Sequence, residues 1–274
     1  LNMEQRRIVE LEHSGHMMVK GVAGSGKTTV AIRRISYLHQ HYCHEEDDKI
    51  LFVTYNRTLL NYIKYQYKKI EDEEQEQLEV WFRPNGSVEI ITIDSLMYKY
   101  FQKYQQRTGN SYKISTNAVE RSVILKAIHL IQDQFPDCRI LSPKYCNFLL
   151  DEVTWINACN ITDEQTYQNI DRIGRATGGS GTPQKLLKNS KVRAAIFALM
   201  ETFNHLLKQQ GHITFKMMNL LALKEAEERN HGKYTHIIID EGQDLTKVQL
   251  DFLKCIYQEK KYSSIMFVAD NTQS

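Results

Sequence analysis

Apolar positions form short β-branched runs near both ends of the chain and longer helical stripes between them. Turn residues close each short run and a helical pattern separates it from the next, which favours buried strands. Parallel strands joined by helices form sheets that are covered on both faces. The pattern therefore predicts an α/β fold with a parallel sheet. Its strands are predicted at His16–Lys20, Lys49–Thr54, Val88–Ile93, His236–Asp240 and Ser264–Ala269.

The middle of the chain, from about Tyr98 to Gly211, has helical spacing and few strand candidates. Asn117 is a candidate helix cap, with Glu120 placed to reach back to it. Apolar stripes follow at 119–131 and 196–207. The simplest organisation is an α/β core interrupted by a helical insertion. The predicted boundaries are 1–97 for the first part of the core, 98–211 for the insertion and 212–274 for the second part, with a glycine-rich loop at 175–183.

Composition is that of an ordinary soluble globular protein, with 42% apolar and 25% charged residues among 274. The sequence has no apolar run long enough to cross a bilayer and no secretory pattern, so we expect a cytoplasmic protein without membrane contact. A net charge of only +2 means that nucleic-acid binding would need a local basic patch. The acidic runs Glu45–Asp48 and Glu71–Glu74 are interpreted as solvated loop or helix-surface segments.

Residues Gly21–Thr28 match the phosphate-binding pattern G-x-x-x-x-G-K-[ST] in full. A strand precedes the loop and a helix follows, so backbone N–H groups and the helix N-terminus can face phosphate oxygens. Lys27 would reach the β- and γ-phosphates, and the Thr28 hydroxyl would bind Mg²⁺. The predicted ligand is a nucleoside triphosphate with Mg²⁺. Its candidate contacts are Gly21, Ala23, Gly24, Ser25, Gly26, Lys27, Thr28 and Thr29.

The predicted strand His236–Asp240 delivers two adjacent carboxylates, Asp240 and Glu241, at its end. In a P-loop enzyme, Asp240 would hold Mg²⁺ through water and Glu241 would polarise the attacking water. The same pair could instead simply begin a helix, because carboxylates are favourable near helix N-termini. Together with the P-loop, the pair favours hydrolysis over binding alone.

The box Asp240–Asp244 resembles the D-E-x-Q-D motif of superfamily 1 helicases of the UvrD/Rep type. Six short matches occur in the family's order over nearly the whole chain, which is far more specific than any one of them. The resemblance implies a RecA-like P-loop NTPase fold with an inserted helical subdomain, using ATP and Mg²⁺ in a DNA helicase or translocase. The matching segments are Leu1–Gln5, Phe52–Asn56, Thr92–Leu96, Phe215–Leu221, Asp240–Asp244 and Ala269–Gln273.

The resemblance also implies roles for two glutamines. Gln5, which alone would be read as a surface residue, would read the adenine edge, because an amide both donates and accepts. Gln273 would sense the γ-phosphate, although Ala269 replaces the family's glycine in that segment. Arg34, on the helix after the P-loop, either approaches the nucleotide or is a solvated helix residue.

Single-stranded or partly duplex DNA is the partner that the resemblance implies, with 3′-to-5′ polarity and a role in DNA repair. Asp94 stands where the family usually has histidine, and its carboxylate would repel a phosphate, so no DNA contact is assigned to it. The DNA contacts are assigned to Thr54, Tyr55, Asn56, Thr92 and Ser95.

Two segments interleave aromatic residues with lysines, at 62–69 and 98–104. Aromatic faces can stack on bases and lysines can follow a phosphate backbone. An amphipathic helix that buries its rings and solvates its lysines gives the same spacing. Arg172 and Arg175 could contact DNA or belong to a surface loop.

The family's second RecA-like domain, with its arginine finger and the other wall of the ATP cleft, would lie beyond Ser274. We therefore expect a fragment that binds ATP and hydrolyses it slowly, since such a finger contributes about 10³–10⁵ in rate. Two alternatives remain open. One is a helicase-like switch or defence ATPase that does not unwind DNA, and the other is a non-catalytic nucleic-acid-binding module.

Overall fold

The computed structural model divides the chain into two compact units. The first consists of Leu1–Lys99, Ala226–Leu245 and Gln249–Ser274, and the second of Tyr100–Glu225 with Thr246–Val248. The residues that the structure describes are 1–12, 15–75, 86–171, 186–229 and 233–270.

Strands and helices alternate along most of the first unit, whereas helices dominate the second. The strands are β1 Met17–Gly21, β2 Lys49–Thr54, β3 Ser87–Thr92, β4 Lys113–Ile114, β5 His212–Ile213, β6 His236–Asp240 and β7 Ser264–Asp270. The helices are α1 Met3–Val9, α2 Lys27–His41, α3 Arg57–Gln75, α4 Ile93–Thr108, α5 Asn117–Ile131, α6 Cys146–Ala158, α7 Glu164–Asn169, α8 Lys191–Gln209, α9 Phe215–Glu228 and α10 Lys247–Ile256.

The first unit is built on a five-stranded sheet in the order β1-β7-β6-β2-β3. Every pairing in this sheet is parallel. All five residues of β6 are buried, as are the last five of β2. Continuous apolar runs of this kind suit strands with both faces covered. The predicted α/β fold with a parallel sheet is confirmed.

The core of the first unit packs helix α2 against the sheet. The apolar face of α2 contributes Ile32, Ile35 and Leu38, and the sheet contributes residues such as Ile50 and Phe52. Each of these side chains is at most 1% exposed. This packing fixes the start of α2, and with it the loop that connects β1 to the helix.

In the second unit, α5 and α8 pack against each other through the two predicted apolar stripes. The cap prediction at Asn117 is wrong, because α5 is capped by Thr116, whose hydroxyl accepts from the Val119 N–H. Glu120 instead accepts a hydrogen bond of 2.6 Å from the Ser115 hydroxyl. The capping hydroxyl lies one residue earlier than the sequence pattern indicated.

Residues 212–225 group with the helical unit, although the sequence placed everything from 212 onward in the core. Strand β5 pairs with β4, a short parallel ladder that the sequence did not predict. At the other end of this stretch, Glu225 forms a 2.8 Å ion pair with Arg107. Both links tie the segment to other residues of the helical unit.

The acidic run 45–48 is not uniformly solvated, and the expectation is wrong for Asp48, which is 0% exposed. Its carboxylate accepts hydrogen bonds from Thr235, Tyr262 and the Lys260 ammonium group. Burial alone would raise the pKa of Asp48, but the hydrogen bonds, above all that from Lys260, outweigh it and lower the pKa to about 2. Within the described residues, no helix is both long and apolar enough to span a bilayer.

Candidate functional site

The carboxyl ends of the five parallel strands bring the sequence-predicted site residues to one edge of the sheet. Gly21, the last residue of β1, is paired in register with Asp270, the last residue of β7. Thr54 of β2 is paired with Asp240 of β6 on one side and with Thr92 of β3 on the other. In open parallel sheets, ligands bind at this edge.

The P-loop connects β1 to α2 through a backbone that glycine favours. Gly26, the N-cap of α2, has a φ of 84°, in the left-handed region. A side chain there would also collide with Gln5, since a Cβ atom would lie 2.7 Å from its Nε2. The last residues of the loop therefore lie close to Gln5 while the first turn of α2 begins at Lys27. Ala23, Gly24 and Ser25 are exposed at the tip of the loop.

Lys27 lies across the mouth of the P-loop. Its ammonium group donates to the Val22 carbonyl at 2.8 Å and lies 2.5 Å from the carboxylate of Asp270. The side chains of Lys27 and Asp270 are only 12% and 16% exposed, so the pair is shielded from most of the solvent. Shielded ion pairs interact more strongly than exposed ones.

Thr28 connects the P-loop to the acidic strand. Its hydroxyl donates to Asp240 Oδ2 at 3.1 Å. Asp240 is 1% exposed. Burial raises its pKa to about 6, against the opposing hydrogen bond from Thr28 and with a further contribution from the charge of Glu241. The two predicted magnesium ligands therefore lie side by side, and Asp240 is fully charged only above that pH.

Glu241 follows β6 in an unusual backbone conformation. Its φ of 54° and ψ of 42° lie in the left-handed region, which is uncommon for a residue with a side chain. Its carboxylate accepts a 2.7 Å hydrogen bond from the Gln243 amide, whose oxygen in turn accepts from the Asp270 N–H at 3.3 Å. The next residue, Gly242, has no space for a side chain, because a Cβ atom would lie 2.3 Å from the Phe267 ring.

Gln5 lies against the P-loop rather than free on the surface. Its backbone and side chain form a capping box with Asn2 at the start of α1. Its Nε2 also donates to the Ser25 carbonyl at 3.1 Å. An amide has two N–H donors and two acceptor lone pairs, so these bonds leave capacity for a base edge.

The five predicted DNA-contacting residues lie at two neighbouring strand ends, but they differ in exposure. Thr54 and Thr92 are each 1% exposed. The Thr92 hydroxyl donates to the Ser95 hydroxyl at 2.8 Å, and the Asn56 side chain accepts from the Thr58 N–H at the start of α3. Tyr55, at 46% exposure, and Asn56 are the exposed members. Nearby, Asp94 accepts a hydrogen bond from Gln249.

Arg34 is not a solvated helix residue. It is 0% exposed, and its guanidinium donates to the Val9 carbonyl at 2.5 Å and lies over the Tyr37 ring. Burial lowers its pKa. This placement gives Arg34 a role in joining α1 to α2, so we leave it out of the proposed nucleotide site. Thr29, by contrast, is exposed.

The two aromatic–lysine segments have different structures. On α3, Tyr62 and Tyr65 are 48% and 66% exposed. On α4, Tyr100 and Phe101 are only 3% and 1% exposed. The buried-ring interpretation therefore fits Tyr100 and Phe101 but not Tyr98, which is 42% exposed. On α3 it does not fit Tyr62 and Tyr65, whereas Tyr67 is partly buried against the core. Gln273, Arg172, Arg175 and the glycine-rich segment lie outside the described residues.

Two residues of the site were not singled out from the sequence, namely Gln243 and Asp270. Both stand inside quoted motifs, so a signal was present. Their contacts, however, depend on the pairing of β7 with β1 and β6. This pairing places Asp270 next to Gln243 and next to Lys27. No local pattern specifies such pairing.

The fold and the site are those of a RecA-like α/β domain. It has a parallel sheet, a loop that begins a helix at one strand end and a carboxylate pair at another. The family model described as the UvrD/REP helicase N-terminal domain matches residues 1–274, and the chain belongs to this family. It is also similar to the ATP-dependent DNA helicase srs2 of Schizosaccharomyces pombe, with 24% identity over 284 residues. That match covers 100% of this chain and 29% of the relative, so the chain spans less than a third of the relative's length.

Proposed function

We propose that the chain is the ATP-binding and ATP-hydrolysing half of an ATP-dependent DNA helicase or translocase. One observation carries this proposal: the hydrogen bond between Thr28 and Asp240, which are 212 positions apart in the sequence. It joins the phosphate-binding loop to the acidic strand. A magnesium–triphosphate site needs both parts close to the same Mg²⁺ ion.

The residues present suit Mg²⁺, which prefers oxygen ligands and keeps several of its waters. Thr28 Oγ1 and Asp240 Oδ2 are 3.1 Å apart and supply one hydroxyl and one carboxylate oxygen. The raised pKa of Asp240 reflects a buried carboxylate for which a cation would compensate. When bound, Mg²⁺ would neutralise charge on the β- and γ-phosphates.

The remaining chemistry is assigned to side chains of this chain. Lys27 would exchange its carboxylate partner for phosphate oxygens, and the N–H groups of the loop would orient them. Glu241, held at Oε2 by Gln243, would position a water for in-line attack and accept its proton. The attack forms a bond from the water oxygen to the γ-phosphorus and breaks the bond to the β,γ-bridging oxygen. Gln5 is proposed to read adenine, and Gln273 to sense the γ-phosphate.

DNA is proposed as the substrate on the basis of family membership and of the relative's name, with movement 3′ to 5′ along a single strand. The strand-end residues Thr54, Tyr55, Asn56, Thr92 and Ser95 remain the proposed contacts. Tyr55 is the exposed aromatic member, which suits direct base contact. The other wall of the ATP site is proposed to come from a second motor domain in a longer parent protein.

The first experiment is nucleotide binding, measured with a fluorescent ATP analogue and Mg²⁺ on wild type and on Lys27→Ala. We expect the variant to bind at least about tenfold more weakly, because charge-assisted contacts to phosphate contribute about 1.5–3 kcal/mol. Lys20→Ala, at an exposed position on β1, is the matched control and should bind like wild type. If Lys27→Ala binds the ATP analogue as tightly as wild type, the proposal that Gly21–Thr28 binds the phosphates is wrong.

A further inference from the structure

Helix α3 presents two tyrosines on its outer face. Tyr62 and Tyr65 are 48% and 66% exposed, whereas Ile63 and Ile70 of the same helix are 0% and 5% exposed. The buried isoleucines fix the rotation of the helix against the core. Residues three apart are neighbours on a helix surface, so the two rings lie next to each other on the solvent side.

The charge along this part of α3 has one sign. Residues 57–70 include Arg57, Lys64, Lys68 and Lys69 and no aspartate or glutamate, and the acidic residues Glu71 and Asp72 follow them on the same helix. Lys68 and Lys69 follow Tyr65 by three and four positions, which places them one turn beyond it on the same side. Both lysines are exposed. The face thus joins two exposed rings to two exposed lysines, and the exposed Asp72 marks its far end.

This face also continues from the strand end that carries the proposed DNA contacts. Tyr55 is 46% exposed and immediately precedes Asn56, whose side chain accepts from the Thr58 N–H in the first turn of α3. The chain therefore passes from Tyr55 into the helix without an intervening loop. Successive helical residues rise about 1.5 Å, so Lys69 is about 10 Å along the axis from Tyr62.

We propose that this α3 face, formed by Tyr62, Tyr65, Lys68 and Lys69, binds single-stranded nucleic acid. Unpaired bases stack on the two rings and the lysines contact phosphates, which is the chemistry of strand-binding grooves in general. Bases in a duplex are already stacked on each other, so the rings select single strands. Tyrosine is enriched and lysine is depleted at protein interfaces, so it is the two lysines that favour nucleic acid over a protein partner. The proposal rests on the proposed function and extends its nucleic-acid site onto the body of a helix.

The test is binding of fluorescein-labelled oligo-dT of about 16 nucleotides, followed by anisotropy at several salt concentrations. Replacing both tyrosines by alanine (Tyr62→Ala with Tyr65→Ala) should weaken binding by about tenfold or more, since each stacked base contributes about 1–3 kcal/mol. Replacing both by phenylalanine keeps the rings and should restore most of the affinity. Equal affinity for the alanine and wild-type proteins would overturn the proposal.

The lysines are tested through the salt dependence. Replacing Lys68 and Lys69 by glutamine should reduce the slope of log affinity against log salt by about 1.4, because each single-strand phosphate that a lysine neutralises contributes roughly 0.7 to the slope. Lys126→Gln, at an exposed position on α5, is the matched control and should keep the wild-type slope. An unchanged slope for the double variant would mean that Lys68 and Lys69 do not contact phosphates.

Two further measurements separate the possible failures. If wild type binds neither oligo-dT nor the ATP analogue, the proposed function itself fails. If wild type binds both, and the alanine variant keeps full affinity for oligo-dT, only the α3 surface fails. Analytical ultracentrifugation of wild type and of the alanine variant measures self-association of the chain. If the alanine variant loses self-association but keeps its affinity for oligo-dT, the α3 face is a protein interface and the proposal is overturned.

Discussion

The carboxyl group of Asp240 lies at the end of a strand whose five residues are all buried. A buried carboxylate is disfavoured in its charged form, and the pKa of about 6 against an ordinary 3.8 measures that cost. Asp240 is therefore placed to bind a cation, and its buried charge lowers the free energy of unfolding when no cation is bound. Strained or destabilised groups of this kind are typical of functional sites.

Asp240→Asn is therefore expected to stabilise the protein in the absence of Mg²⁺ and nucleotide. Because the folded-state pKa is raised, the penalty on folding is complete above about pH 6 and disappears as the pH falls below 3.8. At pH 8 the free energy of unfolding should rise by on the order of 3 kcal/mol, and the proposed Mg²⁺ site loses its charged ligand. Urea denaturation at pH 8 and pH 4 measures the difference.

The control for this prediction is Asp72→Asn, at an exposed position on α3. It should change the free energy of unfolding little at either pH. A gain for Asp240→Asn that does not shrink on acidification would mean that burial of the charge is not its cause. Asparagine keeps an oxygen that can accept from the Thr28 hydroxyl, so the packing around the site is preserved.

At the scale of single residues, the sequence predicted the position of Thr28 and Asp240 but not the partners of Lys27 or Glu241. The P-loop and the acidic strand are local patterns with specific spacings. The contact of Lys27 with Asp270 needs β1 and β7 to be side by side. Gln243, by contrast, is only two positions from Glu241, and their contact depends on the left-handed backbone of Glu241 after β6. The burial of Arg34 was not predicted either, because it depends on the end of α1 lying against α2, where Arg34 donates to the Val9 carbonyl.

At the scale of elements, the hydrophobic pattern located the five strands of the main sheet to within a residue or two. Long buried runs give a strong signal, because strands covered on both faces leave no polar position. The ladder of β4 and β5 has two residues in each strand and gives no such signal. The cap of α5 was missed by one position, since Thr116 and Asn117 are both residue types that cap helices.

The segment before β2 is held in place by Asp48, which suggests a test of that element. The lowered pKa of Asp48, about 2 against 3.8, means that its stabilisation is present above about pH 4 and is lost as the pH falls toward 2. Asp48→Asn should lower the free energy of unfolding at pH 7 by about 2 kcal/mol. Chemical denaturation across this pH range would record the wild-type and variant curves converging in acid.

Glu46→Gln provides the matched comparison, because Glu46 belongs to the same acidic run but is exposed. Its stability should follow wild type at every pH. If Asp48→Asn and Glu46→Gln behave alike, the buried network with Lys260 and Thr235 does not stabilise the segment. The sequence alone could not separate the two residues, because a run of four acidic side chains is usually solvated throughout.

At the scale of the whole molecule, the chain is expected to bind ATP with little turnover by itself. It spans 29% of the fission-yeast relative, and the arginine finger proposed to lie in a longer parent protein would contribute about 10³–10⁵ in rate. ATPase assays of this chain and of a longer parent, each with and without oligo-dT, test this directly. Stimulation by oligo-dT is expected only in the parent.

Glu241→Gln in the parent protein checks that the measured turnover comes from this site, and it should reduce the rate by at least about 10². Rapid hydrolysis by the chain alone would contradict the proposed dependence on a second domain. A parent protein whose ATPase is indifferent to single strands would favour a nucleotide switch over a translocase.

The sequence by itself determined the α/β class, the strands of the main sheet, the P-loop and the carboxylate pair. Each is encoded within a short window, by alternation of apolar residues or by a fixed spacing. Only the tertiary structure decided that Asp48 and Arg34 are buried, that Asp270 faces Lys27 and that Tyr62 and Tyr65 of α3 remain in solvent. These facts depend on which segments become neighbours, and burial and ion pairing are properties of neighbours that no local window contains.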